Sequence, residues 1–127
     1  MTKFLPFYYD NECFFINQKC FFITGKYVAF LTSFFNSSLF KYCFRNNFPE
    51  LQGGTRELSK IYFDKLPVIE IDNETNKNFK KIITEIQELK NNNLDTKQQE
   101  IDIDYMIFDL YELTKNERKS IGFIEIQ

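Results

Sequence analysis

Residues 27–67 read YVAFLTSFFNSSLFKYCFRNNFPELQGGTRELSKIYFDKLP, and the fold turns on how this stretch is divided. Leu31, Phe34, Phe35, Leu39 and Tyr42 share one face at about 100° per residue, while Thr32, Ser33, Asn36, Ser37 and Lys41 fall elsewhere. That spacing predicts a single aromatic-rich helix from Tyr27 to Phe44. It should stop near Arg45, because Asn46 and Asn47 favour turns and Pro49 disfavours helical geometry in Phe48. Gly53 and Gly54 then give up backbone order for access to positive φ or a close approach. Beyond them, Leu58 to Leu66 reads as a short helix and Pro67 to Ile71 as an extended segment.

Working outward, the N-terminal side holds three short aromatic and apolar runs, Leu5 to Tyr9, Cys13 to Ile16 and Cys20 to Thr24, separated by polar breaks. Their composition predicts three strands of a small, largely antiparallel sheet on which the helix packs. On the C-terminal side, Asp72 or Asn73 is placed to cap a helix whose stripe is Phe79, Ile82, Ile83, Ile86 and Leu89. Asn91 to Asn93 end it, and a polar stretch to Glu100 reads as a linker. Ile103, Met106, Ile107, Leu110 and Tyr111 form another helical stripe, and Thr114 with Glu117 fits a capping box that opens a last short helix before Gly122. The expected fold class is therefore α+β: a small, mostly antiparallel sheet packed by an aromatic-rich helix and followed by a helical hairpin tail. Residues 1–71 would form the core and 72–127 the tail of one structural domain.

Composition narrows the function. The chain has 127 residues, 43% of them hydrophobic, with sixteen Phe, seven Tyr and no Trp, enough apolar area for one core and too much for intrinsic disorder. The absence of His excludes Ser-His and Cys-His catalysis within the chain, along with most zinc sites. Cys13, Cys20 and Cys43 are odd in number, widely spaced and set among apolar neighbours, as expected of reduced cytoplasmic thiols. Pro6 and Asp10 interrupt the apolar run that an export signal requires, and Asn36, Ser37, Ser38 and Lys41 interrupt the one a membrane span requires. Net charge is -2, divided unevenly: residues 1–70 carry eight basic against six acidic side chains, and the remainder eight against twelve.

Three groups of residues invite a chemical reading. Glu88, Leu89 and Lys90, with Asp72 upstream, spell part of a nuclease signature, but that signature belongs on a strand and these residues sit in a helical pattern. Asp102, Asp104 and Asp109 read as a solvated helix face rather than as metal ligands. Gly53, Gly54, Thr55 and Arg56 fit either an ordinary turn or a backbone cradle for phosphate. Around that loop stand Lys41, Arg45, Arg56, Lys60 and Lys65, interleaved with Tyr42 and Tyr62. Taken alone, they are scattered surface charge or phosphate contacts in equal measure.

The order of motifs is more specific than any one of them. Phe35, Asn36, Ser37 and Leu39, the Gly-Gly loop with Arg56, Ser59 and Lys60, and the Lys65-Leu66-Pro67 ending resemble the TaqI-like C-terminal specificity domain. So does the later segment Leu110, Tyr111, Glu112, Leu113, Thr114 and Glu117. That domain is the target-recognition module of adenine-N6 DNA methyltransferases, including type II restriction-modification enzymes in which a nuclease is fused. The resemblance implies a duplex-DNA partner contacted by Arg45, Gln52, Gly53, Gly54, Thr55, Arg56, Lys60 and Lys65. It also implies a methyltransferase catalytic domain, in cis or in trans, that binds S-adenosylmethionine. No catalytic motif stands in this chain: Asn-Pro-Pro-aromatic and the glycine-rich cofactor motif are both absent. An alternative of a different class is a protein-interaction module using the Phe-rich surface and the amphipathic tail helices.

Overall fold

The computed structural model describes residues 7–18, 20, 22–50 and 60–123, with Tyr62 described in its backbone alone. Helices α1 (Val28–Asn36), α2 (Ser38–Asn47), α3 (Lys60–Phe63), α4 (Asn73–Asn91), α5 (Lys97–Leu110) and α6 (Lys115–Ile121) are its regular elements, and no strand occurs among the described residues. The expected α+β class is thus corrected to an all-helical one.

The reason lies in what the aromatic N-terminal runs find to bond. Strand propensity measures fit to a half-buried pleated surface, and it forms no sheet where backbone groups take other partners. Here Phe7 exchanges two hydrogen bonds with the Asn36 carboxamide (3.2 and 2.8 Å), and Tyr9 exchanges two with that of Gln87 (3.0 and 3.1 Å). The Asp10 carboxylate accepts from the N–H groups of Glu12 and Phe14 at 2.7 and 2.8 Å, and Cys13 takes a φ of 59°. Residues 10–14 are thereby committed to a local turn, and nothing within 7–18 pairs as a hairpin. The segment Pro67 to Ile71, expected as a strand, pairs in no ladder, and the Ile69 N–H donates to the Tyr111 hydroxyl at 3.2 Å.

A second correction concerns the long helix, which is two. Ser37 is extended (φ -71°, ψ 158°) and separates α1 from α2. Its hydroxyl donates to the Phe34 carbonyl at 2.6 Å and accepts from the Phe40 N–H at 3.2 Å, which makes it the N-cap of α2. One extended residue turns successive side chains by roughly 180° instead of 100°, so the phase of α1 does not carry into α2. Accordingly Phe40, Lys41 and Phe44 face inward, while Tyr42, expected in the stripe, is exposed. The helix also runs on to Asn47 before Phe48 turns extended ahead of Pro49.

Packing centres on the two short helices. Phe30, Phe34, Phe35, Phe40, Phe44, Phe48 and Phe79 are all buried, and the ring centroids of neighbouring pairs lie between 4.6 and 6.2 Å apart. These spacings suit aromatic contacts that add to simple area burial. Against this cluster α4 buries Phe79, Ile83 and Ile86, and α5 buries Ile103, Ile107 and Phe108. The predicted stripes therefore find their partner in α1 and α2, and the segments 1–71 and 72–127 share one apolar cluster.

Caps end the helices where the sequence placed them. The Asp72 carboxylate accepts from the Thr75 N–H at 2.7 Å to open α4. Thr114 and Glu117 close a reciprocal capping box at α6, which Gly122 terminates at a φ of 67°. The stretch expected as a linker to Glu100 is shorter, because α5 has already begun at Lys97.

Candidate nucleic-acid interface

α2 carries Arg45 on its last turn, exposed, where a cation complements the negative end of the helix. From there the chain enters the Gly-Gly loop. Gln52, Gly53, Gly54, Thr55 and Arg56 lie outside the described residues. The chain returns at α3, whose first residue, Lys60, is exposed and pairs with Asp64 at 2.6 Å one turn on. Both partners of that pair are largely exposed, so it is weak and open to competition. Lys65 follows, also exposed. Arg45 and the Lys60–Lys65 segment thus stand at the two margins of the loop in sequence.

Lys41 does not belong with them. It is only 6% exposed, facing into the structure beside the equally buried Asp104, which is 5% exposed. Asp104 was expected on a solvated face. Instead its carboxylate accepts the Ser38 backbone N–H at 2.7 Å and the Ser38 hydroxyl at 2.5 Å, satisfying the first turn of α2 from α5. Burial pushes the Asp104 carboxyl up, opposed by the two Ser38 hydrogen bonds and the Lys41 charge. Burial holds Lys41 below the usual lysine range, opposed by Asp104 and Glu100. Both shifts run toward the neutral forms, so burial outweighs the attraction between the two groups.

The two other acids singled out with Asp104 behave differently. Asp102 accepts from Gln98 at 2.9 Å, and Asp109 pairs with Arg118 at 2.7 Å while remaining 71% exposed. The Glu88-Leu89-Lys90 triplet lies within α4, as its periodicity indicated, and Lys90 pairs with Glu100 of α5 at 3.0 Å. It is thus a surface clamp between two helices. No cluster of three metal-ligating side chains occurs among the described residues.

A cleft of about 330 Å³ opens where α4 and α5 meet α1 and α2, walled by Ile83, Ile86 and Ile103 with Lys41 and Asp104 among its lining. Its two carboxylates, Asp104 and Glu100, equal in number its two ammonium groups, Lys41 and Lys90, so the lining carries no net formal charge. Sequence reasoning missed this network. The only available signal was an Asp at the fourth position before Phe108 in an otherwise apolar stripe, too common to single out.

Asn36, Ser37, Leu39 and Tyr111, which belong to the motifs read from the sequence, have local physical roles, as does Ser38 among them. Asn36 holds the Phe7 backbone, Ser37 breaks and caps the helix, Ser38 binds Asp104, and Leu39 is half-buried against the core. Tyr111 stacks on Phe34 with ring centroids 5.6 Å apart. No protein-family model, curated protein or solved structure matches this chain. No helix among the described residues is long and apolar enough to cross a membrane.

Proposed function

We propose that the chain is a DNA target-recognition module that docks an adenine-N6 methyltransferase, present in cis or in trans, on its duplex site. The observation that carries this reading is the exposure of Arg45, Lys60 and Lys65 at the margins of the Gly-Gly loop, while the one cation withdrawn from that group, Lys41, is used inside. Long cationic side chains beside a glycine loop suit phosphate contacts, and the loop's own Gln52, Thr55 and Arg56 supply donors for base edges. Gly53 and Gly54 would admit the close backbone approach that such contacts need. In this reading the chain selects the site, and S-adenosylmethionine and the methyl transfer belong to the partner catalytic domain. The three free thiols, Cys13, Cys20 and Cys43, suit a reducing cytoplasm.

The test is duplex binding as a function of salt. The logarithm of affinity should fall linearly with the logarithm of salt concentration; Arg45→Ala should reduce that slope by about 1, and Arg56→Ala should weaken binding to the selected site by about 1–3 kcal/mol and relax its sequence preference. A random duplex measures the phosphate contribution, and selection from a duplex library then finds the site. Absence of duplex binding at low salt, or binding indifferent to salt, would overturn the proposal.

A further inference from the structure

The N-terminal segment offers something independent of the DNA reading. Hydrogen bonds hold Phe7 and Tyr9 to Asn36 and Gln87, both amide and carbonyl in each case, while the main-chain groups of Tyr8 and Asp10 have no partner among the described residues. Bonding at alternate residues is the pattern of an extended chain with one edge filled. Two side-chain carboxamides, one from α1 and one from α4, occupy that edge where a neighbouring strand would otherwise lie. The N–H and carbonyl groups of Tyr8 and Asp10, both exposed residues, are left for the opposite edge and have no partner among the described residues.

Tyr8 borders the cleft that holds Lys41 and Lys90 with Glu100 and Asp104, while the turn that follows it, residues 10–14, is apolar and acidic. Tyr8 and Phe14 are about half-exposed, with ring centroids 6.0 Å apart, and Phe15 is fully exposed. Asp10 fixes the turn that brings Phe14 back beside Tyr8 by accepting the Glu12 and Phe14 N–H groups. Asp10 and Glu12 are both exposed, and no Lys or Arg lies between Phe7 and Gln18. An unpaired edge beside exposed aromatics is a template for strand addition, in which main-chain bonds supply affinity and side-chain contacts supply selectivity.

We propose that the Tyr8–Asp10 edge receives an extended apolar segment of another protein, flanked by Lys or Arg. The incoming strand bonds its main chain to Tyr8 and Asp10, rests alternate side chains on the Tyr8 and Phe14 rings, and sets its cations against Asp10 and Glu12. The pairing is between chains and requires no change in the helical body, because the carboxamide clamps already hold residues 7 and 9.

The experiment uses the full chain and a fluorescent peptide, Lys-Val-Thr-Val-Thr-Val-Lys, followed by anisotropy. A second peptide is N-methylated on every internal amide, so that neither edge keeps a main-chain donor. The parent peptide should bind, and the N-methylated peptide should bind roughly tenfold or more weakly, the cost of the two main-chain bonds to the Tyr8 and Asp10 carbonyls. Tyr8→Pro removes one donor and keeps an extended backbone, and should weaken the parent peptide roughly threefold to tenfold. The peptide comparison needs no change in the protein, so it decides the matter even where Tyr8→Pro fails to fold. Equal binding of the two peptides, no binding of either, or self-association of the chain that Tyr8→Pro abolishes would overturn the proposal. The last outcome would assign the edge to a second copy.

Discussion

Two regions of this molecule are built from nearly the same residues and end in opposite environments. Between Phe30 and Phe48, phenylalanines spaced along α1 and α2 disappear into a single cluster. Between Tyr8 and Ile23, Phe14, Phe15, Ile16, Phe22 and Ile23 all stay exposed. Aromatic content does not separate them. The first region has α4 and α5 laid against it, supplying Phe79, Ile83, Ile86, Ile103 and Ile107. The second is tied down by two carboxamides and one carboxylate, polar anchors that fix a path and cover little apolar area. Burial here follows from the availability of a partner face, with composition a necessary condition only.

The sharpest way to break this contrast is to truncate one phenylalanine in each region. Phe44→Ala should lower unfolding stability by about 3–5 kcal/mol, read from the urea midpoint, because the ring is fully enclosed and its neighbours relax only in part. Asp104→Ala should cost about 3 kcal/mol in the same assay, since it leaves two buried Ser38 donors without their acceptor and removes a nearby negative charge from the buried Lys41. Ser37→Ala should cost about 1 kcal/mol by removing the cap of α2. Phe15→Ser should change stability by less than about 0.5 kcal/mol. A large effect there would show that the exposed region is packed after all.

A pH titration sharpens the buried side of the comparison. The folded Asp104 carboxyl has its pKa raised above 3.8, chiefly by burial, so just above pH 3.8 the folded state holds the proton more firmly than the unfolded one. Its contribution to stability therefore falls as pH rises from 3.8 through the folded value. Asp104→Asn, which cannot titrate, should lack that decline. The difference between the two proteins in chemical denaturation should shrink steadily as pH climbs out of the acid range. A constant difference across that range would refute the assignment.

The legible parts of the fold were those whose partners lie within one helical turn. The Asp72 cap, the Thr114–Glu117 box and the stripes of α4 and α5 are patterns of three and four residues, and all are present. The break at Ser37 was hidden because Asn36, Ser37 and Ser38 serve equally well as the polar side of one continuous helix. Nothing local says that Ser37 would rather cap than continue. Lys41 was misread for the same reason, since its phase depends on that break. Asp104 was illegible because its partner, Ser38, is 66 residues away. The N-terminal runs read as strands because Phe, Tyr and Ile fit pleated surfaces, while the competing carboxamides of Asn36 and Gln87 are 29 and 78 residues distant. Of the proposed DNA contacts, Arg45, Lys60 and Lys65 are placed at the surface, and their role at a duplex rests on the motif likeness.

The long reach of the Ser38–Asp104 bond also fixes an order of events during synthesis. α1 and α2 are complete by Asn47, yet the Ser38 donors wait until Asp104 has left the ribosome. At about 5–20 residues per second that interval lasts several seconds, during which the phenylalanine faces of both helices lack the part of their cover that α5 supplies. The nascent chain is therefore most exposed to aggregation and to chaperone capture after its first helices form and before α5 emerges, and closure of the joint ends that window.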